Sequence, residues 1–75
     1  MELYSGDELL VHLVAEGLAA DRAVRGRHVD VTVQNGVVIL EGEVASAASK
    51  EAAGRRAWSV PGVYDVCNRL SLPTG

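Results

Sequence analysis

With 75 residues and a formal net charge of −3, the chain has room for one domain and one thin core. Its acidic balance speaks against a nucleic-acid module, whose electrostatic footprint is a basic patch or stripe. The single cysteine, Cys67, excludes an intrachain disulfide and any Cys/His cluster able to hold zinc.

The apolar content of 48% comes mostly from Val, Ala and Leu, with no Phe at all, which suits a compact sheet–helix interface better than a ligand cavity. Met1 to Glu8 has no basic n-region and no apolar h-region. No apolar run approaches the roughly 18–20 residues that span a bilayer. As written, the chain reads as cytoplasmic, or equally as an excised module of a periplasmic or envelope protein.

Ser5-Gly6-Asp7-Glu8 opens a first helix with a capping-box pattern, and Tyr4 and Leu9 hold the two positions of a hydrophobic staple. Leu10, Leu13, Val14, Gly17 and Leu18 recur at helical spacing, placing the helix at Asp7 to Ala20. Glu8, His12 and Glu16 fall on its opposite face. Asp21 to Arg27 is a connector carrying Arg22, Arg25 and Arg27, with Val24 as an apolar plug against the first helix.

His28 to Val44 reads as a β-hairpin, the strongest signal in the chain. Val29, Val31 and Val33 alternate with Asp30, Thr32 and Gln34 at the period of a half-buried strand. Asn35-Gly36 supplies the two positive-φ residues of a type I′ turn. A two-residue loop then sets Val33 opposite Val38, Val31 opposite Leu40 and Val29 opposite Gly42. Gly42 therefore marks either a close helix approach or a bulge.

Ser46 caps a second helix over Ala47 to Val60, with Ala53, Ala57 and Val60 as a shallow inward stripe. Gly54 within it costs roughly 1 kcal/mol of helix propensity relative to alanine. Pro61-Gly62 ends the helix. Val63 to Leu72 is a last strand with Val66, Leu70 and Leu72 on one face. Asn68 shares their parity, so it is either a satisfied buried amide or the sign of a bulge. Pro73-Thr74-Gly75 is a tail.

The fold class is α+β in the order αββαβ, one domain over 1–75 with a core of about 7–72. The crossover helix makes the second and third strands parallel, with right-handed connection expected. A three-stranded mixed sheet with the second strand central and both helices on one face follows. The other face carries Thr32, Gln34, Val37, Ile39, Glu41, Cys67, Arg69 and Ser71. It is partly apolar, and such a face often meets a partner.

No nucleophile–base pair, paired acids or metal cluster emerges, so neither catalysis, metal nor cofactor is expected. His12 reads as a solvated partner of Glu8 and Glu16, His28 as solvent-facing, and Cys67 as a thiol without an activating neighbour. Gly26 lacks the spacing of a phosphate loop. From these residues alone the reading stops at a small non-catalytic α/β domain.

The Asn35-Gly36-Val37-Val38-x-Leu40-x-Gly42-x-Val44 hairpin and the Val60-Pro61-Gly62-Val63…Val66-x-Asn68-x-Leu70 ending, preceded by Asp7…Val14…Leu18, resemble the BON domain of bacterial osmotic-shock and nodulation proteins. The resemblance runs from Asp7 to Leu72. It implies the same αββαβ fold and a non-catalytic module, stress or envelope related, that binds phospholipid membranes or other envelope components. Arg56 departs from it, standing where the family usually has an aliphatic residue. Trp58 takes a position expected to be partly exposed.

On this reading the attachment candidates are Trp58 with Arg55 and Arg56, together with Lys50, Arg22, Arg25 and Arg27. The plain alternative is that these cations form a solvated surface balancing the acids. At about 1 kcal/mol per basic residue near an anionic membrane, binding by one domain should be weak and salt-sensitive. The competing expectation is a protein-interaction or oligomerisation module using Val37, Ile39, Thr32 and Arg69, or the free edge of the first strand.

Overall fold

The structure, a computed structural model, describes residues 6–73. Its elements are α1 (Gly6–Ala20), β1 (Gly26–Gln34), β2 (Val37–Val44), α2 (Ala47–Trp58) and β3 (Asp65–Ser71). The sheet order is β1-β2-β3, with β2 antiparallel to β1 and parallel to β3. Val33 pairs with Val38, Val31 with Leu40 and Val29 with Gly42, the register that the two-residue turn dictates. The Ser5 cap, the Tyr4 half of the staple and the Thr74-Gly75 end of the tail lie outside the described residues.

Both helices cover one face of the sheet. Leu10, Val14 and Leu18 of α1 and Ala53 and Ala57 of α2 close over Val33, Val38, Leu40, Val44 and Leu70. Three sequence expectations need correction. Leu13 is 41% exposed, because the buried stripe follows Leu10, Val14 and Leu18 and leaves Leu13 on its margin. The second helix stops at Trp58 rather than Val60: Ser59 is its C-cap, and its hydroxyl donates to the Arg56 carbonyl at 2.6 Å. Leu72, 40% exposed, lies beyond the end of β3.

The inward face of α2 is also wider than its alanine stripe. Ala52 and Ser49 are buried too. Ser49 tolerates this because its hydroxyl takes a hydrogen bond from the Arg25 backbone N–H at 3.3 Å, while its own N–H caps onto Ser46 Oγ at 3.1 Å.

Both open alternatives at Gly42 and Asn68 resolve. Pairing shifts between Gly26 and His28, the mark of a β-bulge. Gly42, paired with Val29 next to that irregularity, adopts φ +122, and a Cβ there would sit 1.6 Å from the His28 carbonyl oxygen, so the glycine marks a close approach of the β1 backbone. Asn68 is a satisfied amide in an unbroken β2–β3 ladder. Its Nδ2 donates to the Lys50 carbonyl at 2.8 Å, and its Oδ1 accepts the Leu70 N–H at 3.3 Å. A Cβ on Gly54 would lie 3.1 Å from that Nδ2, so the missing side chain makes room for the amide.

The hairpin turn is fastened at both ends of the chain. Asn35 and Gly36 have φ 52 and φ 80, the positive values a type I′ turn requires. Their amides donate to the Asp7 carboxylate, Asn35 to Oδ2 at 2.9 Å and Gly36 to Oδ1 at 3.0 Å. The Gly36 carbonyl accepts the Tyr64 N–H at 2.8 Å. Gly62, at φ +99, leaves space against Leu10 Cδ2, 3.3 Å from its would-be Cβ. One turn thus joins α1, the hairpin and the segment entering β3.

Two substitutions test this frame. Asp7→Ala removes both charge-assisted acceptors and should destabilise by about 1–3 kcal/mol, lowering Tm by roughly 4–8 °C per kcal/mol in a domain of this size. Gly42→Ala places a methyl group on the His28 carbonyl and should cost more, at least about 3 kcal/mol. Thermal denaturation followed by circular dichroism measures both, and Gly42→Ala melting with the unsubstituted protein would contradict the close approach at Gly42.

Candidate functional site

The solvent side of α2 is what its burial pattern leaves over. With Ser49, Ala52, Ala53 and Ala57 turned inward, Glu51, Arg55 and Trp58 are exposed. Arg55 and Trp58 stand at i, i+3, neighbours on one helix surface. Trp58 is 53% exposed in the last helical turn, a large apolar ring beside a guanidinium.

Arg56 has a different position. Its Cγ and Cδ lie 3.3 Å from where a Cβ on Gly17 of α1 would stand. Its Nε donates to Asp21 Oδ2 at 3.2 Å. The stem supplies the apolar contact between the helices and the charged head reaches a partner at the rim, as long cationic side chains do. Arginine at this position is therefore compatible with helix–helix packing.

Asp21 also accepts the Ala23 N–H on Oδ1 at 2.9 Å. That N–H holds its carboxyl below the ordinary value of 3.8, with the hydrogen bond and charge of Arg56 and the charge of Arg55 acting the same way against a raising effect of burial. Asp21, Ala23, Ala52, Arg55, Arg56 and Ser59 line a shallow depression of about 380 Å³. Within it Asp21 is already engaged with Arg56, which leaves Arg55 as the cation there with no partner of its own at hydrogen-bond distance among those described.

The remaining cations of the sequence group do not form one patch with these. Arg22 is exposed in the connector between Asp21 and Ala23. Arg25 is exposed near the start of α2, bordering a separate depression with Gly26, Glu43, Val44, Ala45 and Pro73. Arg27 falls at the bulge of β1. Lys50 is half-buried and offers its carbonyl to Asn68. Arg22 and Arg25 in the connector and Arg55, Arg56 and Trp58 in the second half of α2 are thus all exposed, with Arg56 tied to Asp21 and Arg25 bordering the separate depression.

The second candidate surface is the uncovered sheet face. Across the three strands it runs in rows: Gln34–Val37–Asp65, Thr32–Ile39–Cys67, Asp30–Glu41–Arg69 and His28–Glu43–Ser71. Val37 and Ile39 are half-buried, while Thr32, Asp30, Glu41, Cys67 and Arg69 are exposed. Arg69 sits next to Glu41 on the side away from Asp30, where it offsets the like-charge pair. Cys67 is a free thiol. Among the described residues there is no group of three or more His, Cys, Asp or Glu placed to hold a metal ion. No described helix is long and apolar enough to cross a membrane.

Sequence reasoning missed Asp21, the acid within the basic group; its Asx-turn bond to the Ala23 N–H is local, but its pairing with Arg56 across 35 positions leaves no sequence signal. It also missed Asp7 as the acceptor for the hairpin turn, a pairing too distant in sequence for any local signal.

Comparison with known proteins places these features in context. The BON domain profile matches residues 6–74. Osmotically-inducible protein Y of Escherichia coli (strain K12) is 40% identical over 67 residues, which is 89% of this chain and 33% of that protein. The chain thus spans about a third of this relative's length.

Asp21 yields a pH-dependent expectation. A carboxyl held below its ordinary pKa contributes stability above that value and loses it as pH falls through the lowered native one. Asp21→Asn should therefore be less stable than the unsubstituted chain at neutral pH, and the difference should shrink as pH falls below 3.8. Urea midpoints across an acid series measure this; a difference that grows toward acid would contradict the pairing.

Proposed function

The chain belongs to the BON domain family, and on that premise we propose that it is an attachment module that seats on anionic phospholipid surfaces. BON domains are generally non-catalytic, and attachment asks only for a rigid presentation of the right side chains. The observation that carries the reading is the exposed Trp58 beside Arg55 on α2. An indole settles at the headgroup level of a bilayer, apolar body inward and N–H toward water. Arg55 and Arg22 add about 1 kcal/mol each near an anionic surface.

These terms sum to a weak contact, which the net charge of −3 opposes, least when the acidic sheet face points away from the surface. Binding by one copy is accordingly marginal and screened at physiological salt, where the Debye length is about 8 Å. Stable attachment then requires several copies acting together. The name of the related protein, osmotically inducible, supplies the setting we carry over: a module used under osmotic stress.

A second reading is supported by a separate feature. The uncovered sheet face with half-buried Val37 and Ile39 suits a protein partner.

Trp58 is the single tryptophan, so its emission reports the contact directly. We expect a blue shift with anionic vesicles, none with neutral ones, reversal on adding salt, and loss in Arg55→Glu. Emission unshifted at saturating anionic vesicles would contradict the lipid reading.

A further inference from the structure

The uncovered sheet face is net acidic, whereas the helices and connector mix cations with Asp7, Glu8, Glu16, Asp21 and Glu51. The sheet face carries the carboxylates of Asp30, Glu41, Glu43 and Asp65, all exposed, against the single guanidinium of Arg69. The other lysines and arginines lie in the connector, at the start of β1 and on α2. Because both helices cover the opposite face, the acidic surface and the Arg55–Trp58 surface point away from each other.

We propose that copies of this chain associate head to tail, the Arg55–Trp58 end of α2 of one copy docking on the acid-rimmed sheet face of the next. The two surfaces complement each other in type and in spacing. Val37 and Ile39, in adjacent rows of the central strand, form an apolar strip for an indole, and Trp58 is 53% exposed. Tryptophan and arginine are the residue types that most often anchor interfaces.

Along β2, Ile39 and Glu41 are two residues apart on one face, a separation of about 6.6–6.8 Å. On α2, Arg55 and Trp58 at i, i+3 are about 5–6 Å apart. Seating the indole on Ile39 therefore brings the guanidinium within reach of Glu41. Asp30 adds a further carboxylate beside Glu41, which one Arg69 offsets only in part.

Such a contact uses different patches on its two members. It is heterologous, and with the patches on opposite sides it builds an open chain rather than a closed dimer. The association stands independently of lipid binding, although the two compete for Trp58. A copy seated on a membrane keeps its sheet face free to receive another.

The test is light scattering on vesicle-free protein over a range of concentration and salt. Apparent mass should rise with concentration and fall back as salt is added. Arg55→Glu and Glu41→Lys, each shown folded by circular dichroism, should each lose that rise alone. An equimolar mixture should recover it, because reversed charges on both sides face each other again.

Unsubstituted protein that stays monomeric to about 1 mM, the weak end of measurable association, overturns the proposal. So does association that persists in either single variant, or a mixture that fails to recover it. Loss of vesicle binding with association intact would sink the lipid reading and leave this one standing. Association that fails while vesicle binding persists would do the reverse and leave the sheet face to a cationic segment of another protein.

Discussion

Two backbone amides on one carboxylate hold this small domain in shape. The hairpin turn needs positive φ at both Asn35 and Gly36, which leaves their N–H groups pointing out of the ladder and in need of acceptors. Asp7, in the first turn of α1, accepts both, and the Gly36 carbonyl in turn receives the Tyr64 N–H. A helix start, a strand reversal and the entry to the last strand are thereby fixed to one point. The core benefits, since its largest fully buried side chains are only leucine and valine. A core built from such residues gives compactness but little geometric fixity, and the polar clamp supplies what shape complementarity alone does not.

The same economy governs the helix layer. Alanines let α2 lie close to the sheet, and Gly54 lets it lie close enough for Asn68 to reach the Lys50 carbonyl. Gly17 opens a similar space in α1, which the Arg56 stem occupies. Pairing Arg56 with Asp21 ties one exposed guanidinium to an acid, while Arg55 and Trp58 stand exposed beside it.

The hairpin was legible because two independent signals, period-2 alternation and Asn-Gly turn chemistry, demand one register. The crossover followed from the helix between the second and third strands. Helix and strand ends were less legible: the Val60 end of the second helix overran because capping by Ser59 leaves no mark in hydrophobic spacing, and the Leu72 end of the last strand overran by matching the alternation although it lies past the last ladder pair, Glu43–Ser71. Leu13 matched the helical period but lies at the margin of the buried stripe. Asp7, Ser49 and Asp21 act through partners distant in sequence or through backbone groups, and no periodicity encodes such pairs. Of the candidate site, the residue types on α2 were readable, whereas the division of labour between Arg55 and Arg56 was visible only once Gly17 and Asp21 stood beside them.

The central claim is that a rigid frame turns the Arg55–Trp58 side toward anionic lipid and the acidic sheet face away from it. Amide resonance broadening by a paramagnetic headgroup lipid in anionic nanodiscs maps this residue by residue. Broadening concentrated at Arg22, Arg55 and Trp58, with Thr32, Ile39 and Glu41 spared, is the predicted result. Broadening centred on Ile39 and Glu41, or spread evenly over both faces, would contradict it.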